Sequence, residues 1–257
     1  MQKENLDVLT GVGLIELRDF WSKITIPLWN HFSILLGANT GAMNNPKSKV
    51  AYLVGGFFLI HKKVLEEIGT FRSVKNAIHE DAELGLLIKN AGYSIKIARM
   101  DNGVSALWSR DLQTLWYGIK RTFAPMNKWQ IFASLITVFF MALLPFVLLP
   151  YNFLLAIDTS SGQLSWKSDI PKQGQQQQLT LLSFYLNLTS CIIIIISTAI
   201  KDINKYRITP AYSFLSFLGA GFIIISYIVN IISLFTKQSI SWRGRTSSVT
   251  SNKVNNE

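Results

Sequence analysis

Residues 79–92 read HEDAELGLLIKNAG, and this stretch decides what the first half of the chain is. Its pattern predicts an amphipathic helix over 80–91. Glu80, Asp81 and Glu83 fall in the first turn, where the helix dipole favours anions, and Gly92 is placed as the C-terminal stop. Upstream, a Ser/Lys/Asn stretch at 73–77 reads as a flexible lead-in. Before it, residues 61–68 (HKKVLEEI) alternate at helical spacing and stop at Gly69. Residues 50–60 (VAYLVGGFFLI) form a β-rich run broken by Gly55 and Gly56. Downstream, Ser94–Ala98 alternates like a half-buried strand. Residues 111–122 (DLQTLWYGIKRT) make a third helix, followed by Pro125. Residues 1–130 therefore read as a water-soluble α/β segment.

Past residue 130 the composition changes. Three uncharged apolar stretches follow, at 131–157, 179–200 and 212–235. Each exceeds the roughly 18–20 residues needed to cross a bilayer, so 131–235 reads as an α-helical transmembrane region. The whole chain is 49% hydrophobic and 16% charged, with mean hydropathy +0.28, against about 25% charged in soluble domains. This composition excludes general disorder. The single cysteine, Cys191, excludes a disulfide framework and a thiolate zinc site. The three histidines are scattered, and residues 1–13 are too polar and mixed in charge for a signal peptide. The net charge of +10 divides between the two ends, and 131–200 is neutral. No nucleic-acid motif accompanies it, so no nucleic-acid partner is expected. Anionic lipid headgroups explain the charge more simply.

Lys201, Lys205 and Arg207 place the 201–211 loop in the cytoplasm, with 1–130 on the same side and 158–178 outside. The basic tail, 236–257, ends in a Ser/Asn-rich stretch expected to be disordered. Lys237, Arg243 and Arg245 place this tail on the cytoplasmic side too, which needs an even number of crossings. The 131–157 stretch, broken by Pro145 and Pro150, is the expected place for a dip and return.

Four clusters are candidates for chemistry, each with a plain structural alternative. His79-Glu80-Asp81 offers a general base, or is simply a helix N-terminus. Gly55-Gly56 marks a close approach of backbone to ligand, or plain packing. Trp116, Tyr117, Lys120 and Arg121 bind ligand, or form an interfacial aromatic and basic belt. Trp242-Arg243-Gly244-Arg245 grips a diphosphate through paired charge-assisted bonds, or is a juxtamembrane basic patch.

In combination, these features resemble the acceptor half of membrane-bound family 2 glycosyltransferases with the GT-A fold, in the branch of ceramide glucosyltransferase and hopanoid-associated glycosyltransferases. That branch carries a GG-containing strand and helix before an E-D-x-x-L-G helix, matched by Glu80-Asp81-Ala82-Glu83-Leu84-Gly85. Its Trp-Arg-rich tail is matched by Ser241-Trp242-Arg243-Gly244-Arg245-Thr246. The resemblance covers about residues 10–130 and the tail. It implies a partial GT-A α/β domain followed by transmembrane helices, and sugar transfer from a nucleotide-sugar donor to a lipid acceptor at the plasma membrane. Asp81 would be the base, with Glu80 orienting it. Gly55 and Gly56 would shape the acceptor entrance. Trp116, Lys120, Arg121, Trp242, Arg243 and Arg245 would line the diphosphate side. Three features depart from the family pattern. Gln113-Thr114-Leu115-Trp116 lacks the arginine of the Q-x-x-R-W motif, and Lys120-Arg121 is its nearest substitute. The tyrosine that often follows the tail motif is missing. The half of the domain that holds the nucleotide and carries the D-x-D carboxylates is absent, and Asp7 and Asp19 do not form such a motif. The expectations are a truncated or split enzyme inactive alone, a separate chain carrying the N-terminal half, and Mg²⁺ or Mn²⁺ held mostly by that half. A non-catalytic membrane scaffold is the alternative. A transporter subunit is disfavoured by the uncharged spans.

Overall fold

The computed structural model describes residues 6–35, 40–77, 79–100, 102–122, 126, 128–160, 170–235, 240–242 and 245–247. Strand β1 (Val8–Val12) is the centre of a three-stranded sheet. Strand β3 (Phe58–Ile60) pairs with it antiparallel, Leu9 opposite Leu59, and β4 (Ile95–Arg99) pairs parallel, Leu9 opposite Lys96. Strand β2 (Leu14–Glu16) pairs parallel with β5 (Ser105–Leu107). Between them run α1 (Phe20–Leu35), α2 (Thr40–Met43), α3 (Lys62–Glu67) and α4 (Glu80–Asn90), and α5 (Leu112–Thr122) follows. The region is mixed α/β with small sheets. The helices predicted at 61–68, 80–91 and 111–122 and the strand at 94–98 form within about a residue of their expected bounds. The β-rich run at 50–60 does not. Only Phe58–Ile60 is strand, because Gly55 and Gly56 are the middle of a turn closed by the Phe57 N–H on the Val54 carbonyl (2.9 Å).

Helix α4 ends as its sequence predicts. Gly92 is left-handed (φ 89°), and the Gly92 and Tyr93 N–H groups bond back to the Lys89 and Ile88 carbonyls, a Schellman closure that glycine accommodates without strain. The Lys89 ammonium donates to the carbonyls of Met43, Asn45 and Val50 (3.0, 3.1 and 3.0 Å), pinning the connection that leads to the Gly55-Gly56 turn. At the start of the sheet, the Asp7 carboxylate accepts the Ser94 N–H and hydroxyl, each at 2.8 Å.

Helix α1 was not anticipated. Asp19 caps it through the Ser22 N–H (2.9 Å), and Ile24, Ile26, Leu28, Trp29 and Phe32 are buried. Apolar residues lie on most of its circumference, so it shows little of the one-sided period that marks an amphipathic helix. The described residues form two hydrophobic cores. One joins β1, β4, α3 and α4 through Val8, Ile95, Val64, Leu84 and Ile88. The other joins α1 and α5 to the helices beyond residue 128.

Those helices begin with α6 (Lys128–Val138), a π-helical turn (Phe139–Leu143) and α7 (Leu144–Ser160). They are one continuous rod. The π turn, where the Leu144 N–H reaches the Phe139 carbonyl, lies just before Pro145, and such insertions relieve a lost helix bond. Helix α8 (Ile170–Lys201) runs into a second π turn (Asp202–Tyr206), and a 3₁₀ turn (Pro210–Leu215) precedes α9 (Ser216–Phe235). Among the described residues, three helical stretches are long and apolar enough to cross a membrane: Trp129–Ile157, Gln177–Tyr206 and Pro210–Ser233.

Their directions correct one expectation. Ser183 donates to Asn152 (3.2 Å) on α7, while further along α8 and its π turn Lys205 bonds Asn30 of α1, whose neighbour Trp29 packs on Tyr227 at the level of Ser134 of α6, so α8 runs antiparallel to the α6–α7 rod. Phe217 packs on Phe146 (5.9 Å) and Tyr227 lies beside Ser134, so α9 runs antiparallel to α6. Because α6 and α7 are one rod, α8 and α9 point the same way. The reversal is at 207–216, not within 131–157. Helix α9 thus ends at the end of the bundle where α6 begins. The loop after α8 is at that end as well. Lys205 donates to Asn30 (2.9 Å), Arg99 to the Asn204 carbonyl (2.8 Å) and Arg207 to Asn102 (2.9 Å). In the tail, β6 (Ile240–Trp242) and β7 (Arg245–Ser247) form a hairpin, with Trp242 opposite Arg245.

Candidate active site

The Glu-Asp helix, the double-glycine turn and α5 converge. Thr10, buried in β1, accepts the Val54 N–H (2.8 Å) and donates to the Phe57 carbonyl (3.1 Å), while the Gly11 N–H also reaches that carbonyl (3.0 Å). The turn is held rigidly from beneath. Helix α4 lies directly on the backbone before it. A Cβ on Gly85 would come within 2.6 Å of the Tyr52 Cα and 2.9 Å of the Leu53 nitrogen, so only glycine permits this contact. Leu84 is buried beside it, and the Leu53 N–H donates to the Asp81 carbonyl (3.1 Å). The Leu84-Gly85 pair thus sets the height of α4 above the chain, and Asp81 follows from it.

The Asp81 side chain accepts two backbone N–H groups: Oδ2 from Gly55 (3.2 Å) and Oδ1 from Ala82 (2.8 Å). A Cβ on Gly55 would stand 2.8 Å from Oδ2, which is why the turn has no side chain there. Each carboxylate oxygen retains lone-pair capacity, and Asp81 is half-buried while Glu80 is exposed. Gly56 faces the methyl of Ala106 on β5. His79 is not a side-chain cap. Its Nε2–H donates to the Arg121 carbonyl (3.0 Å), one of the orphan acceptors at the end of α5. This bond brings the end of α5 to the start of α4.

The other expected residues are placed differently. The Trp116 ring packs on Phe222 of α9 (5.5 Å), towards the second core. Lys120 is half-buried in the last turn of α5. Trp242 and Arg245 are backbone register partners in the tail hairpin, and Arg243 lies outside the described residues. Among the described residues, no three His, Cys, Asp or Glu side chains gather to hold a metal ion. Asp7 is engaged by Ser94 and Asp19 caps α1. With both engaged, these residues do not fit Mg²⁺ or Mn²⁺.

The profile of Glycosyl transferase family 21 matches residues 41–169, just over half the chain. The chain belongs to this family. The match spans the double-glycine turn, the Glu-Asp helix, α5 and the first apolar rod, the elements that carry the geometry above. Comparison with curated proteins and with solved structures gives no match. As a family 21 glycosyltransferase it works with a sugar donor and an acceptor. Two functional contacts were not foreseen. The Thr10 hydroxyl under the turn is a lone threonine in a strand. The His79 bond ends on a backbone carbonyl, which side-chain patterns do not reveal.

Proposed function

We propose that this chain supplies the acceptor side of a membrane-bound glycosyl transfer of the family 2, GT-A type, moving a sugar from a nucleotide-sugar to a lipid hydroxyl with inversion. The observation that carries this reading is the half-buried Asp81 carboxylate seated on the Gly55 N–H, beside the α4–α5 junction. The acceptor hydroxyl oxygen attacks the anomeric carbon and its proton passes to Asp81. The bond to the diphosphate breaks, and the diphosphate leaves with the electron pair. Glu80 orients the helix start and Gly56 shapes the acceptor entrance. Lys120, Arg121, Trp242, Arg243 and Arg245 offset charge on the leaving group, and Trp116 steadies α5 against α9. The soluble segment faces the cytoplasm at the plasma membrane, where nucleotide-sugars are available. Among the described residues no His, Cys, Asp and Glu cluster gathers to hold a metal ion, so this reading gives these residues the acceptor side of the reaction.

The test is transfer from a panel of nucleotide-sugars to lipid acceptors by the protein in its membrane. Asp81→Asn should lower kcat by about 10²–10⁴-fold, the usual worth of a general base, and Glu80→Gln by less than about tenfold. Equal mild losses from both would return the pair to helix capping.

A further inference from the structure

A second feature lies where the loop after α8 meets the end of β4. A hollow of about 460 Å³ is lined by Arg99, Met100, Asn102 and Gly103. Arg99 donates across it to the Asn204 carbonyl (2.8 Å), and Arg207 donates to Asn102 Oδ1 (2.9 Å). Two exposed guanidiniums from different elements therefore stand at one rim. The Asn102 bond uses one of the five N–H donors of Arg207. Arg207 is also held left-handed (φ 55°) where α8 closes, with the Ile208 N–H on the Asp202 carbonyl (2.9 Å). Glycine is the usual residue at such a helix end, so this position carries a cation against the local backbone preference. An apolar stripe leads to the same place. Ile193, Ile196, Ile200 and Ile203 of α8 and its π turn are 53% to 61% exposed. Their 3-4-3 spacing puts them on one face, and the stripe ends one residue before Asn204.

We infer that the hollow and the stripe together bind one anionic phospholipid. Its phosphate sits between Arg99 and Arg207, and an acyl chain lies along Ile203, Ile200, Ile196 and Ile193. Paired guanidiniums suit a phosphate through charge-assisted bonds. The continuous apolar stripe selects a lipid over a free anion. The site uses none of the residues assigned to sugar transfer and stands apart from that proposal.

The test is native mass spectrometry of the full chain released from bilayers with equal amounts of phosphatidylglycerol and phosphatidylcholine. One phosphatidylglycerol should be retained preferentially, and excess inorganic phosphate should not displace it. Arg207→Gly fits the left-handed backbone, so it should melt no lower than the parent yet lose the preference by about tenfold, the loss of one charge-assisted contact. Arg99→Gln should lose a similar factor. Equal retention of both lipids overturns the proposal, as does a preference that survives in both variants. Displacement by inorganic phosphate overturns the lipid assignment.

Discussion

Helix α4 rests on the backbone of residues 52–53, and α9 rests on the backbone of α1. Both contacts are made at a glycine: Gly85 against Tyr52, and Gly219 against Ile24, whose carbonyl would stand 2.2 Å from an added Cβ. The same device serves two purposes. At Gly85 the close approach ends in directional bonds, Leu53 to the Asp81 backbone and Gly55 to its carboxylate, so the contact aims one side chain. At Gly219 it is followed by ring packing, Trp21 on Phe222 and Trp29 on Tyr227, so the contact fixes the direction of a helix. The first region places a chemical group; the second places a chain segment relative to the bundle.

The comparison breaks most sharply if α9 runs the other way. With Cys191→Ser as background, single cysteines at Ser160, Asn204 and Ser247 are probed in intact and opened cells with an impermeant maleimide. Asn204 and Ser247 should respond together, and Ser160 oppositely. Opposite behaviour of Asn204 and Ser247 would defeat the assigned direction. Next in size, Gly219→Ala and Gly85→Ala should each destabilise by about 1–3 kcal/mol or more, because fixed backbone atoms oppose the new methyl. Gly221, on the same helix with open space around it, should gain about 0.5–1 kcal/mol as Ala. Thermal unfolding in detergent separates the three, and equal responses at Gly219 and Gly221 would remove the packing argument.

The smallest expected effect belongs to the sheet that carries α4. The Ser94 backbone N–H, and then its hydroxyl, hold the Asp7 carboxyl below the usual carboxylate range. A depressed carboxylate contributes stability above its unfolded pKa, near 3.9, and loses it as pH falls through the lower folded value. Ser94→Ala should therefore melt below the parent at pH 6, and the gap should narrow below about pH 4. A gap independent of pH would assign the pair to packing alone.

The same contrast explains what could be read without coordinates. Helices α3, α4 and α5 face water on one side, so their periods were visible, as were the glycine stops of α3 and α4. The Glu-Asp pair stood out for the same reason, as charge at a helix start. Helix α1 has no clean polar face, and Pro27 lies inside it, so neither its period nor its extent was legible. The proline-broken stretch at 131–157 invited a reversal, but a π turn keeps that rod continuous. The true reversal at 207–216 overlaps the charged loop read at 201–211, but its direction was not legible, because it is set by where α9 finds α6 and α1. Within the site, Gly55 and Asp81 are 26 residues apart, and their meeting depends on Gly85 letting α4 down onto the chain.

The partnership of α1 with α9 also has a timetable. The Lys23 ammonium and the Tyr212 hydroxyl, which touch across it at 3.5 Å, are 189 residues apart. At the roughly 5–20 residues per second of synthesis, α1 leaves the ribosome about 10–40 s before its cover exists. For that interval Trp29, buried in the finished protein, lacks the Tyr227 ring it packs on. The newborn chain must hold α1 against α5 and the bilayer surface, or on a chaperone, until α9 arrives.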